Sequence, residues 1–173
     1  MTQHAQVQTV WPEDELSVLA VKAFQGLGLT QADAKDVVQV LVMADLFGLS
    51  THGLSRVESY GERLLVNGIN ARPNITVQKP APALRLVDGD NGVGPLVGMH
   101  ALRAAIDAAK QCGIGMAFAR GSNHFGPISP YSLIAAQQGF ASIIGSNATT
   151  TIAPWGGSAV SYTHLTLPTK RIV

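Results

Sequence analysis

The chain has 173 residues, 46% hydrophobic and only 13% charged, enough apolar content for a sizeable core and too much for a disordered chain. A formal charge of +1 gives no electrostatic case for binding nucleic acid or an anionic membrane surface. The single cysteine excludes an internal disulfide framework and fits a reducing, cytoplasmic setting; the N-terminus has neither the basic nor the apolar part of a secretory signal, and no run is long enough to span a bilayer.

The first element after Pro12 is helical: "EDELSVLAVKAFQGLG" repeats apolar residues at Leu16, Leu19, Ala20, Ala23 and Phe24 before stopping at Gly26–Gly28. Thr30 then reads as an N-cap with Asp33 three residues on completing a capping box, and "QADAKDVVQVLVMADLFG" is expected to bury Val37, Val38, Leu41, Ala44 and Phe47. A third helix is expected across "HGLSRVESYGERLLVNG". The period then changes, with "NITVQ" and "ALRLVD" alternating as strands. After the turn "GDNGVGP" come the helix "LVGMHALRAAIDAAKQCG", the strand "GMAFAR", the loop "GSNHFGP", the helix "YSLIAAQQG", the strand "FASIIG" and the polar loop "SNATTTIAPWGG". The fold class is therefore α/β: an N-terminal helical segment followed by βαβ units on a largely parallel or mixed sheet, whose ligands gather beyond the carboxyl ends of the strands.

The last segment, "VSYTHLTLPTKRIV", is Thr-rich and does not continue this style. It resembles one reading frame of a transposon adaptor used in sequencing libraries. The expectation is a natural chain cut near Ala159, with residues 160–173 non-native; a real C-terminal strand is the alternative. The expected division is residues 1–75 as a helical part, 76–159 as the start of an α/β domain, and 160–173 as the tail.

Two stretches carry the chemistry. In "LSTHGLSRVESY", His52, Arg56 and Tyr60 are spaced four apart, so a continuous helix would line them on one face. Ser50 and Thr51 would then sit at its N-terminus, where free N–H groups favour an anion, while the Arg fork and Tyr hydroxyl suit a small 2-oxo or 2-hydroxy acid. On spacing alone the block reads equally as a capped helix with a solvated Arg–Glu face and a half-buried Tyr60. In "GSNHFG", His124 stands at a strand's carboxyl end, and an imidazole near its usual pKa of about 6.5 can move protons at neutral pH. A loop histidine satisfied by its own backbone is the competing reading.

Other features carry less. Gly89, Gly92 and Gly94 do not form the G-x-G-x-x-G fingerprint, so "GDNGVGP" reads as a turn. Cys112 reads as a buried structural thiol, and the scattered His4, His100 and His164 give no metal-ligand spacing, so no metal site is expected.

Taken together, "ADLFGLSTHGLSRVESY", "LVDGDNGVGP", "GIGMAFARGSNHFG" and "SNATTTIAPWGG" resemble the malate/L-lactate dehydrogenase family, the non-Rossmann group that includes sulfolactate, ureidoglycolate and piperideine-2-carboxylate enzymes. The resemblance implies an NAD- or NADP-dependent oxidoreductase (EC 1.1.1.-) interconverting a small 2-oxo acid and its 2-hydroxy acid, as a homodimer, with a sulfolactate-dehydrogenase-like fold present only in part. It places the proton-transfer histidine on His124, a second site histidine on His52, substrate contacts on Arg56, Tyr60 and Thr51, and cofactor contacts on Asn147, Ala148, Thr149 and Gly156. Thr51 stands where the family usually has serine, and "GPISPY" replaces its commoner Gly-Ala-Ala-Gly-Tyr run. The alternatives carried beside this reading are an inactive fragment and a non-catalytic module that binds small carboxylates.

Overall fold

A computed structural model describes residues 10–147. Three helices come first: α1 (Glu13–Gly26), α2 (Gln31–Leu46) and α3 (Arg56–Leu65). An antiparallel pair follows, β1 (Thr76–Ala81) and β2 (Leu84–Asp88), then α4 (Gly94–Cys112), β3 (Met116–Arg120) and α5 (Ser129–Gln137). The sheet order is β1-β2-β3, with β2 and β3 parallel and aligned from Leu84 opposite Met116 to Asp88 opposite Arg120. This is a mixed sheet in an α/β chain, as expected.

The helix starts follow local chemistry. The Thr30 hydroxyl accepts the Asp33 N–H at 3.0 Å and donates to the Asp33 carboxylate at 2.6 Å, so the second arm of the expected box closes on the hydroxyl rather than on the Thr30 N–H. Gly113, at φ 78°, ends α4 in the left-handed conformation that glycine adopts most easily. Pro95 and Pro130 occupy the first turns of α4 and α5, where a missing N–H costs nothing.

The main core joins Phe24, Val37, Val38, Leu41, Tyr60, Leu64 and Ile69 with Val93 and Leu96 from the start of α4. A second cluster packs Val40 of α2 and Met99 of α4 against Tyr131 and Ile134 of α5. With seven of its sixteen residues buried, α2 is the spine between the other helices, and α4 lies between it and the sheet. Arg103 on α4 and Asp36 on α2 add a bidentate ion pair across this interface.

Several expectations are corrected. The third helix begins at Arg56, not His52; residues Ser50–His52 form a separate 3₁₀ turn. The cause is Asp45, whose carboxylate accepts the Leu54 N–H at 2.8 Å and presses so closely on Gly53 that an added Cβ would stand 1.9 Å from its Oδ1. "FASIIG" is not a strand: the Phe140 N–H returns to the Ala135 carbonyl at 3.0 Å to close α5, and Ile143 stands fully exposed without a strand partner. Phe47 is 44% exposed because α2 ends at Leu46 and Gly48, at φ 74°, turns the chain away. On α1, Leu19 and Ala23 face outward, and only Ala20 and Phe24 are buried. Cys112 is exposed, one residue before Gly113 and past the last buried turn of α4. Residues 160–173 lie outside the described residues.

Candidate active site

The loop leaving β3 and the N-terminus of α3 converge on one point. The Tyr60 hydroxyl lies 2.7 Å from His124 Nδ1 and 3.3 Å from the His124 carbonyl oxygen. The His52 ring stands 5.5 Å from that of His124, centroid to centroid. Residues 64 positions apart in one case and 72 in the other are thus in one cluster, as the paired motifs suggested. His124 keeps an exposed edge, whereas Tyr60 is 4% exposed.

Burial pushes the Tyr60 phenol up to about 12, with the Arg56 charge opposing that shift. The phenol therefore stays protonated at neutral pH and donates to one of the two oxygen or nitrogen acceptors of His124. Burial lowers the pKa of His124, and the positive charges of Arg56 and His52 lower it further. The imidazole is then neutral at pH 7; with the phenolic hydrogen on the His124 carbonyl, Nδ1–H donates to the Tyr60 oxygen and Nε2 is left as a free acceptor, directed away from the phenol. When the ring is protonated, Nε2 carries the added proton and both Tyr60 contacts are unchanged. Both charge states keep a partner, which suits a group that gains and loses a proton.

The backbone around His124 is held from three sides. Asn123 donates to the Asn91 carbonyl and amide oxygens at 3.1 and 3.0 Å and to the Gly92 carbonyl at 2.9 Å. Its own Oδ1 accepts from Arg63 of α3 at 2.8 Å. Gly94, at the start of α4, backs directly onto the loop: a Cβ there would lie 1.9 Å from the His124 carbonyl oxygen. Downstream, the Tyr131 hydroxyl donates to the Phe125 carbonyl at 2.7 Å and the two rings stack at 4.3 Å. "GDNGVGP" is the turn expected of it, with Asp90 and Asn91 at φ 48° and 57°, and its function here is to present Asn91 and Gly92 to Asn123.

On the other side, the Thr51 hydroxyl meets His52 Nδ1 at 2.9 Å, and Arg56 Nε donates to the Thr51 carbonyl at 2.6 Å. Both terminal nitrogens of Arg56 remain without a hydrogen-bond acceptor among the described residues. The displaced start of α3 removes the expected helix-terminus anion site at Ser50 and Thr51: the Leu54 N–H is taken by Asp45, and those of Arg56 and Val57 by the Gly53 and Leu54 carbonyls. A shallow cavity of about 510 Å³ lies beside this segment, lined by Thr51, Ser55, Arg56, Glu58, Ser59 and Glu62. Neither histidine lines it, and its two glutamates make that flank a poor seat for an anion. Arg56 is also close enough to His124 for its charge to lower the imidazole's pKa.

Of the expected cofactor residues, Asn147 is described and exposed, and its side-chain amide makes no hydrogen bond among the described residues. Ala148, Thr149 and Gly156 lie outside them. Among the described residues no group of three His, Cys, Asp or Glu side chains is placed to hold a metal ion, and no helix is long and apolar enough to cross a membrane. The residues that sequence reasoning did not single out are Asn123, Arg63, Gly94 and Asp45. Asn123 carried a signal, standing next to His124 in a loop whose neighbours can all form turns. The other three act through contacts that only the fold creates.

The malate/L-lactate dehydrogenase family model matches residues 11–163. Malate dehydrogenase of Pyrococcus horikoshii is 40% identical over 146 residues, which are 84% of this chain and 41% of that protein. Its solved structure superposes with a TM-score of 0.73 over 80% of this chain and 41% of its own, at 39% identity. L-sulfolactate dehydrogenase of Methanocaldococcus jannaschii is 37% identical over 146 residues, 84% of this chain and 42% of that protein. Ureidoglycolate dehydrogenase (NAD(+)) of Escherichia coli is 32% identical over 135 residues, 78% and 39% of the two chains. The chain thus spans about two fifths of the length of these relatives. With the family model matched along most of its length, the chain belongs to the malate/L-lactate dehydrogenase family.

Proposed function

We propose that this chain carries the acid–base part of an NAD- or NADP-dependent oxidoreductase that interconverts a small 2-oxo acid and its 2-hydroxy acid. The observation that carries the reading is the 2.7 Å contact between buried Tyr60 and His124 Nδ1, which leaves Nε2 as the atom that takes up and gives a proton on a solvent-accessible imidazole. Family membership and the printed activities of the relatives support the same reaction class.

His124 is assigned as the general acid that gives a proton to the ketone oxygen, and as the base that removes it in the reverse direction. Its lowered pKa favours the neutral, proton-accepting ring at pH 7 and makes the imidazolium a stronger acid when it forms. Arg56 is assigned to the substrate carboxylate through its two free terminal nitrogens, with Nε held on the Thr51 carbonyl to fix the fork. Tyr60, whose hydroxyl is engaged by His124, is assigned to holding the imidazole tautomer rather than to the substrate. His52, fixed by Thr51, adds positive or dipolar character beside the reacting oxygen. No side chain present can deliver a hydride, so a nicotinamide cofactor supplies or accepts it when bound. Asn147, whose amide is without a partner among the described residues, is assigned to its binding surface with Ala148, Thr149 and Gly156. A homodimer in the cytoplasm, with residues 1–75 as a helical part and 76–159 opening an α/β domain, completes the proposal.

The test is oxidation of NADH or NADPH by the purified chain with pyruvate and oxaloacetate, beside acetone as a ketone without a carboxylate. Turnover with the acids alone, lost in Arg56→Met, is the expected result. Saturable binding of the acids with no cofactor oxidation would instead make the chain a carboxylate-binding module.

A further inference from the structure

A second cavity, with several charged side chains in its lining, lies well away from His52 and His124. It measures about 410 Å³ and sits between the β1–β2 pair and the middle of α4, where Lys79, Arg85, His100, Arg103, Asp107 and Lys110 line it. Gly94, which touches His124, is at the other end of the same helix, roughly 20 Å from Asp107 at 1.5 Å per residue.

Arg85 is the unusual member. It is only 4% exposed and is the one charged residue among the buried polar ones described. Its Nη1 donates to the carbonyls of Ala81, Pro82 and Leu84 at 3.1, 2.9 and 2.9 Å, while Nη2 and Nε have no acceptor among the described residues. The ion pairs of the described residues are Arg103–Asp36 and Arg120–Asp88, so Arg85 has no carboxylate partner there. Carbonyl dipoles satisfy hydrogen atoms but do not neutralise a buried positive charge, which ordinarily requires a paired anion. Lys79 and Lys110 extend from the two walls of the same cavity, and Arg103 is already neutralised by Asp36. Three uncompensated cations thus face one carboxylate, Asp107, a surplus suited to a dianion rather than to a single carboxylate.

We propose that this cavity is an anion site for a phosphate-bearing small molecule. The guanidinium at its base grips the phosphoryl oxygens through Nη2 and Nε, and the two lysines close over them. The site is independent of the acid–base cluster, so its test stands apart from the reaction proposed above.

Inorganic phosphate is the probe, titrated into the chain at constant ionic strength and followed by ³¹P line broadening and by the unfolding midpoint, with acetate as a control. Arg85→Met risks the loop that Arg85 ties together, so the surface variants decide. Saturable phosphate binding, weakened at least about tenfold in Lys79→Gln/Lys110→Gln, tightened in Asp107→Asn and unchanged in His124→Asn, is the expected pattern. The Asp107→Asn gain cannot come from misfolding. Absence of saturation, or equal binding in wild type and the lysine double variant, would overturn the proposal. Acetate displacing phosphate with equal strength would overturn its phosphate class.

Discussion

At the scale of single residues, the chemistry rests on what surrounds one imidazole. Tyr60 is buried and its phenol is pushed up to about 12, so it remains a hydrogen-bond donor throughout the range in which His124 titrates. His124 itself is lowered by burial first and then by Arg56 and His52. The consequence for stability has a definite sign. A histidine whose folded pKa lies below its unfolded value of about 6.5 binds protons more readily in the unfolded chain. Its full contribution to stability is therefore present above that value, and it is lost as the pH falls toward the folded pKa. Arg56→Met removes one cause of the shift and is expected to raise the His124 pKa toward 6.5, read from the pH dependence of its ring proton signals in NMR. An unchanged titration would remove Arg56 from the electrostatics of the site. The pairing of His124 with the block His52–Tyr60 was legible in the sequence through the family resemblance. The identity of its partner was not, because whether the Tyr60 hydroxyl turns to a substrate or to a ring 64 residues away depends on packing.

Among the elements, capping signals were the easiest to read and tertiary contacts the hardest. Thr30 and Asp33 start α2 where the sequence placed it, since every atom of that motif lies within four residues. The start of α3 moved from His52 to Arg56 because Asp45, at the end of the preceding helix, competes for the Leu54 N–H. That competition is set by a turn spanning nine residues and leaves no mark in the hydrophobic period. The same holds for "FASIIG", whose apolar alternation looks like a strand but whose backbone has no neighbour to pair with among the described residues. Gly94 shows the strongest such dependence, since α4 can approach the His124 carbonyl only without a side chain there. Gly94→Ala is expected to cost about 1–3 kcal/mol, the usual penalty for overpacking, and to shift the His124 ring signals as the loop yields. Chemical denaturation measures the first and NMR the second. Full stability with unmoved signals would show that the contact relaxes without consequence.

For the whole molecule, the open question is how a mixed three-stranded sheet with β3 at its edge is covered. Among the described residues the face of the sheet away from α4 presents Phe118 at 59% exposure, with Met116 and Leu86 beside it. An exposed apolar face on an edge strand is a surface for further association, and the chain spans only about two fifths of its relatives' length. Phe118→Lys, on that face, is expected to reduce concentration-dependent self-association in sedimentation velocity; identical sedimentation of the two chains would place the contact elsewhere. The helical segment and the mixed sheet were readable from local periodicity, whereas the convergence of the two distant motifs came from the family resemblance, since spacing alone left both blocks open to structural readings. The central claim concerns the product of that convergence, His124 as the proton carrier of a 2-oxo-acid oxidoreductase. Its most direct test is turnover of wild type against His124→Asn with a 2-oxo acid and NAD(P)H, alongside cofactor affinity. General acid–base catalysis is worth about 10²–10⁴ in rate, so a loss of at least about a hundredfold with cofactor affinity nearly unchanged is expected. Turnover within a few-fold of wild type would contradict it.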